Sequence, residues 1–158
     1  MLAKFQRLAR DERGIGFLEM AIAAPVLALI FLGIVDISRI VATNIDLEQA
    51  AQRTTDFALA RRPTNGSTGY LVTEAVAASG RPSGDITVEV FLECNGVKAS
   101  SFTSVCVPGE IAKRFVSVEI EQTVSTGFNW RAMAAVFGTG SGTYRPVTVT
   151  GDSIVRIQ

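Results

Sequence analysis

The chain has a long apolar run near its start, from residue 15 to residue 35. Sixteen consecutive uncharged residues lie between Met20 and Val35, and adding Ile15–Glu19 lengthens the run to 21 residues. A helix needs about 20 apolar residues to cross the hydrocarbon core of a bilayer. The pattern therefore predicts one transmembrane helix over residues 15–35, with Glu19 near the membrane edge.

Apolar and polar residues continue at helical spacing beyond this run. Apolar side chains recur at intervals of three, four or seven residues, at Ile37, Ile40, Leu47, Ala51 and Ala58. The opposite stripe is polar and consists of Arg39, Asp46, Gln49, Arg53 and Asp56. This is the periodicity of a helix that packs one face on a core. The cations at 61 and 62, followed by a proline, indicate its end, so we expect one helix over residues 15–62.

From residue 63 onward, strand patterns alternate with short helical ones. Apolar and polar residues alternate over 86–92 and 116–121, and a strand pattern returns over 144–157, interrupted by Gly151-Asp152. Residues 70–78 have the pattern of a short helix. The stretch between the first two strands, residues 94–109, is too long for a tight hairpin. These elements predict an α+β, pilin-like fold, in which the long helix packs on a small, mostly antiparallel head over residues 63–158.

A second short helix is predicted over residues 130–137. Asn129 is placed to begin it and Gly138 to end it. Trp130 and Met133 fall on its apolar face, and we expect them to be core residues. The glycine-rich stretch at 138–142 lacks the lysine of a phosphate-binding loop, so we interpret it as a flexible connector.

Composition excludes several function classes. Fifteen basic residues balance 15 acidic ones, so no overall charge favours nucleic acid. Histidine is absent, which removes the commonest general base and metal ligand. The carboxylates of the head are scattered along predicted strands and loops. The sequence therefore predicts no enzyme, no catalytic residues, no metal site and no cofactor.

Glu19 calls for an explanation, because a charged group in hydrocarbon costs about 2.5–3.5 kcal/mol on insertion scales. A secretory signal peptide would have a shorter apolar core and a small-residue cleavage site. A plain single-pass anchor explains the length but not the carboxylate. Cleavage after Gly14 would leave Ile15 as a new N-terminus, with Glu19 at its fifth position. The Glu19 carboxylate could then pair with the Ile15 amine of a neighbouring subunit.

This segment resembles a known family. The order of a basic tail, a glycine, a glutamate five residues later and an apolar helix resembles the TadE-like pseudopilins of the tight-adherence (Tad/Flp) pilus. The matching positions are Gly14, Glu19, Pro25, Gly33, Asp36 and Arg39. Met20 stands where the family usually has Phe or Tyr. The resemblance covers residues 13 to about 61 and is only architectural beyond them.

The resemblance implies a processed pilus subunit. A prepilin peptidase would cleave between Gly14 and Ile15 and remove residues 1–14 as a cytoplasmic leader. Glu19 and Met20 would set the register of assembly with other minor pilins, the major pilin and the Tad inner-membrane assembly platform. Two alternatives stay open, namely an uncleaved membrane-anchored interaction module and a type II secretion pseudopilin.

Charge predicts the orientation of the segment. Residues 1–14 carry four basic and two acidic residues, a net charge of +2. Basic flanks stay in the cytoplasm, so we expect a single-pass protein of the bacterial inner membrane with a periplasmic head, exposed outside the cell if the pilus displays it. Cys94 and Cys106 would then lie in an oxidising compartment, which favours a disulfide between them.

Overall fold

The computed structural model describes residues 13–136, 138 and 146–158. Helix α1 spans Arg13–Ala60 and continues through Pro25, which removes one internal hydrogen bond from it. It ends at Ala60, whereas the sequence predicts a helix over 15–62. Residues 1–12 of the proposed leader lie outside the described part of the chain.

The chain divides into two compact units, residues 1–38 and 39–158. The described part of the first unit is helical, and from Glu19 onward α1 is long and apolar enough to cross a membrane. Its large apolar side chains are exposed, among them Phe17, Ile22, Phe31, Ile34 and Ile37. Asp36, by contrast, is buried.

The second unit is built on a four-stranded antiparallel sheet in the part of the chain that the structure describes. Its strands are β1 (Ile86–Cys94), β2 (Val97–Lys98), β3 (Ala112–Val124) and β4 (Val147–Arg156), in the spatial order β2-β1-β3-β4. Helix α2 (Gly69–Ser79) and a 3-10 turn (Ser83–Asp85) precede β1, and α3 (Trp130–Val136) follows β3. The predicted α+β class is confirmed.

The core of this unit lies between the sheet and the helices. β3 buries every second residue, at Val116, Val118 and Ile120. The second half of α1 contributes Leu47, Ala50, Ala51 and Ala58, and α2 contributes Leu71 and Ala75. The polar stripe predicted for α1 is exposed throughout. Ile37 was expected on the buried stripe but is 63% exposed, because it belongs to the apolar first unit.

Gly151 does not interrupt the last strand. β4 runs from Val147 to Arg156 without a break, although the sequence predicts an interruption at Gly151-Asp152. A Cβ atom at Gly151 would lie 2.3 Å from the carbonyl carbon of Leu47. The glycine is therefore needed because the backbone of α1 passes directly over the strand.

The connection between β1 and β3 contains a tight turn that the sequence interpretation missed. Asn95 and Gly96 have φ angles of 52° and 83°, and they join β1 to the two-residue strand β2. Positive φ at both central positions is typical of a type I′ hairpin turn, for which Asn-Gly is the preferred pair. The rest of the connection returns to β3 at Ala112, opposite Cys94.

Helix α3 begins at Trp130 as predicted and is described as far as Val136, but its side chains are less buried than expected. The Asn129 side chain accepts a hydrogen bond from the Ala132 N–H at 3.0 Å, and Gly138 has a φ of 75°. Trp130 and Met133 are half-buried rather than core residues. The Trp130 ring packs edge-on against the Phe128 ring, with the ring centroids 4.8 Å apart. Apart from Gly138, the expected connector 138–142 lies outside the described residues.

Candidate functional sites in the N-terminal helix and the head

The predicted processing site lies in the first turn of α1. Gly14 and Ile15 both have helical backbone, and Glu19 follows Ile15 by four residues. Residues four apart share one face of a helix, about one turn apart. The Glu19 side chain is exposed, as is that of Met20 at 64%.

Glu19 stands among exposed apolar side chains and forms no salt bridge with another described residue. Within the described residues, the ion pairs join Arg53 to Glu74 and Lys98 to Glu89. Phe17 and Ile22, close to Glu19 on the helix, are 81% and 66% exposed. A lone carboxylate on such a surface is costly in a membrane unless a cation meets it there.

The predicted disulfide between Cys94 and Cys106 is present. Their Cα atoms are 5.6 Å apart, and the bond ties the end of β1 to the loop that precedes β3. The Asn95 N–H donates to the Ile111 carbonyl, and the Ile111 N–H donates to the Asn95 side-chain oxygen, both at 3.0 Å. The loop is therefore held at both its ends as well as by the disulfide.

Residues 95–111, which connect β1 to β3 and are named the disulfide loop, expose four aliphatic side chains that the sequence interpretation did not single out. Val97, Val105, Val107 and Ile111 are 70%, 93%, 66% and 63% exposed. Valines on either side of Cys106, next to a predicted disulfide, were the available signal. Apolar side chains grouped on an ordered loop are typical of contact surfaces.

A basic recess lies where the end of α1, the disulfide loop and the end of β4 meet. It has a volume of about 400 Å³, and the residues that line it include Arg62, Arg114, Thr64, Thr103 and Gln158. The Arg114 Nε donates to the Phe102 carbonyl at 3.4 Å, and its Nη1 donates to the Gln158 side chain. Sequence reasoning missed this recess because its residues are far apart in the chain.

Tyr70 stays neutral near the end of α1. Its hydroxyl donates to the Arg61 carbonyl at 2.6 Å. Burial raises the pKa of the Tyr70 hydroxyl above its ordinary value of 10.0, and the nearby Arg61 charge lowers it by less. Tyr70 therefore adds no negative charge to this basic end of the head at neutral pH.

With this geometry described, the chain can be compared with known proteins. Residues 14–56 match the model of the TadE-like protein family. The resemblance expected from Gly14, Glu19 and the apolar helix is confirmed for this segment. No curated protein and no solved structure matches the chain.

The TadE-like segment contains Gly14, Ile15 and Glu19 and stops at Asp56, before α1 ends. The sheet, the disulfide loop and the basic recess lie outside the match. The family match therefore covers most of the long helix and none of the strands of the head.

One group of possible metal ligands falls in the head. The sulfur atoms of Cys94 and Cys106 and a carboxylate oxygen of Glu110 lie within 4.8 Å of one another. Both sulfurs are joined to each other, so neither is a thiolate that could bind a metal. These residues do not fit a metal site in the oxidised protein.

Proposed function

We propose that this protein is a minor pilin or pseudopilin of a Tad/Flp-type type IV pilus. In this proposal it is held in the bacterial inner membrane by residues 15–35, with its N-terminus in the cytoplasm and its head in the periplasm. The observation that carries the proposal is the TadE-like match over a helix whose apolar side chains are exposed. Such a surface is stable in lipid or against other apolar helices, and not in water.

The proposed processing step supplies the missing partner of Glu19. Cleavage between Gly14 and Ile15 by a prepilin peptidase leaves a free amine, which carries a positive charge near neutral pH. In a bundle of helices, the Ile15 amine of one subunit would face the Glu19 carboxylate of the next. Each charge is then compensated only in the correct register.

The proposed partners follow from this role. They are the prepilin peptidase, the major pilin, other minor pilins, the Tad assembly platform and membrane lipid. The exposed aliphatic side chains of the disulfide loop support a head that contacts other proteins. The role is structural, which fits a head without histidine and with scattered carboxylates.

The decisive experiment is the intact mass of the membrane-extracted protein, produced with and without a prepilin peptidase. We expect loss of residues 1–14 only when the peptidase is present. Gly14→Leu should block this loss. Gly16→Leu is the matched control, because a side chain at Gly16 meets no atom within 4 Å, and it should be processed.

An unprocessed chain in both samples would contradict the proposal. It would favour an uncleaved, single-pass interaction module, and Glu19 would then need a partner other than the Ile15 amine. Loss of the leader from Gly14→Leu would point to a different protease and a different cleavage site.

A further inference from the structure

The basic recess of the head is lined by two arginines, Arg62 and Arg114. Neither Arg62 nor Arg114 forms an ion pair with an Asp or Glu side chain within the residues described. No acidic side chain lines the recess. The Arg62 side chain is exposed to solvent.

Contacts with Phe102 and Gln158 fix the orientation of the Arg114 side chain. Its guanidinium lies 5.6 Å from the centre of the buried Phe102 ring and donates to the carbonyl of that residue. A guanidinium has five N–H donors, and the Phe102 carbonyl and the Gln158 side chain occupy two of them. Three donors therefore remain on a side chain whose orientation is already fixed, which lowers the entropy lost on binding.

Two threonines also line the recess, and the Thr103 hydroxyl shares a hydrogen bond of 3.0 Å with the Ser101 hydroxyl. Thr64 follows α1 and Thr103 lies in the disulfide loop, so the recess draws on two separate segments in addition to β3. Cations after a helix also interact favourably with its C-terminal carbonyls. That effect accounts for Arg62 but not for Arg114, which lies near the start of strand β3.

We propose that this recess, formed by Arg62, Arg114, Thr64 and Thr103, is a binding site for an oxyanion, either a phosphate or a carboxylate group of a small ligand. Paired guanidinium groups bind such groups through charge-assisted, often bidentate hydrogen bonds. The volume of about 400 Å³ exceeds that of a single phosphate, so the ligand can carry its charge on a larger body such as a sugar. The proposal is independent of cleavage at Gly14.

The test is a titration of the full-length protein in zwitterionic micelles, followed by the backbone amide signals of Thr64, Thr103 and Arg114. The probes are inorganic phosphate, glucuronate and neutral glucose, at constant ionic strength set with chloride. We expect saturable shifts with phosphate, glucuronate or both, with a dissociation constant on the order of 1 mM. The arm that saturates identifies the kind of oxyanion.

Two variants distinguish binding at the recess from nonspecific attraction of anions to positively charged side chains. Arg62→Gln should raise the dissociation constant at least about fivefold, because it removes one of the two guanidinium groups. Arg131→Gln makes the same charge change on α3 and should leave the constant unchanged. Arg62 has no hydrogen-bond partner among the described residues, so its variant should fold, which unchanged amide signals elsewhere would verify.

Three results would overturn the proposal. The first is shifts that do not saturate, or that follow only ionic strength. The second is equal binding by the Arg62→Gln and Arg131→Gln variants. The third is shifts with glucose as large as those with the anions, since a neutral sugar offers no charge to the arginines.

Discussion

Gly151 and Thr55 fix the contact between α1 and the last strand of the sheet. Beside Gly151, the Thr55 hydroxyl shares a hydrogen bond of 2.9 Å with the Ser153 hydroxyl, and the Asn44 amide donates to the Thr150 carbonyl at 3.0 Å. Thr55 also donates to the Gln52 carbonyl at 2.8 Å, so this buried hydroxyl is satisfied within the helix as well. A close backbone contact and three polar side chains thus fix where the helix lies on β4.

Replacing Gly151 with alanine should destabilise the head by about 1–3 kcal/mol. The new Cβ would lie 2.3 Å and 2.5 Å from backbone atoms of Leu47 and Glu48, and backbone atoms cannot rotate away. Urea unfolding of the full chain in micelles, followed by fluorescence of the single tryptophan, measures this. Gly69→Ala is the control, because its Cβ meets nothing within 4 Å. Equal midpoints for the two variants would contradict the close contact.

At the scale of the elements, the disulfide loop has little regular structure but is tied down by several bonds. It has only the two-residue strand β2 as regular structure. It is nevertheless held by the Cys94–Cys106 bond, by the Asn95–Ile111 hydrogen bonds and by the Val107 N–H, which donates to the Glu110 carboxylate at 3.0 Å. These bonds keep four exposed aliphatic side chains on one ordered loop.

Replacing both cysteines with serine should lower the free energy of unfolding of the head by about 2–4 kcal/mol, since the closed loop no longer restricts the unfolded chain. Trypsin should then cleave faster after Lys98, which lies inside the loop. Insertion of α1 in the membrane, checked by alkaline extraction, should not change. Identical digestion of the variant and the wild type would show that the disulfide does not constrain the loop.

Periodic elements could be predicted from the sequence, whereas contacts between distant residues could not. The buried face of β3 and the exposed polar stripe of α1 follow from local spacing alone. The Asn95-Gly96 turn had a local signal that was overlooked, because the whole stretch to Gly109 was treated as one loop. The close contact at Gly151 had none, since a glycine within a strand pattern also suggests an interruption.

Some candidate sites likewise have a local signal in the sequence, whereas others depend on contacts between distant residues. The spacing of Gly14 and Glu19 and the two cysteines are readable from the sequence because each signal is short and local. The recess of Arg62 and Arg114 depends on the fold, which brings the end of α1 next to β3. Their separation of 52 residues in the chain hides that proximity.

At the scale of the whole molecule, the two units differ in the surroundings in which their surfaces are stable. The described part of the first unit exposes apolar side chains and carries Glu19, while the second buries its apolar residues in a core of its own. A protein of this kind needs an apolar environment for one unit and water for the other.

Glu19→Gln tests the proposed role of the carboxylate at this scale. The variant should insert, fold and lose its leader normally but fail to assemble, because its neutral amide leaves the Ile15 amine of the neighbour unpaired. The loss of a charge partner in such a setting costs on the order of 3–5 kcal/mol. The measurement is the amount of the protein in sheared pili relative to the membrane fraction.

Glu48→Gln is the matched control, since Glu48 is an exposed glutamate on the same helix within the head. It should assemble like the wild type. Normal amounts of the Glu19→Gln protein in pili would argue that the carboxylate does not set the register.

The disulfide also has a mechanical consequence. A stretched chain advances by about 3.3–3.6 Å per residue, so the 12 residue steps from Cys94 to Cys106 would extend to about 40 Å if the bond were absent. With the bond in place, the segment between the two cysteines cannot extend, because the disulfide carries the force from Cys94 directly to Cys106. A subunit pulled by its ends would therefore lengthen less under tension, and the turn and the valines inside the closed segment would stay out of the load path.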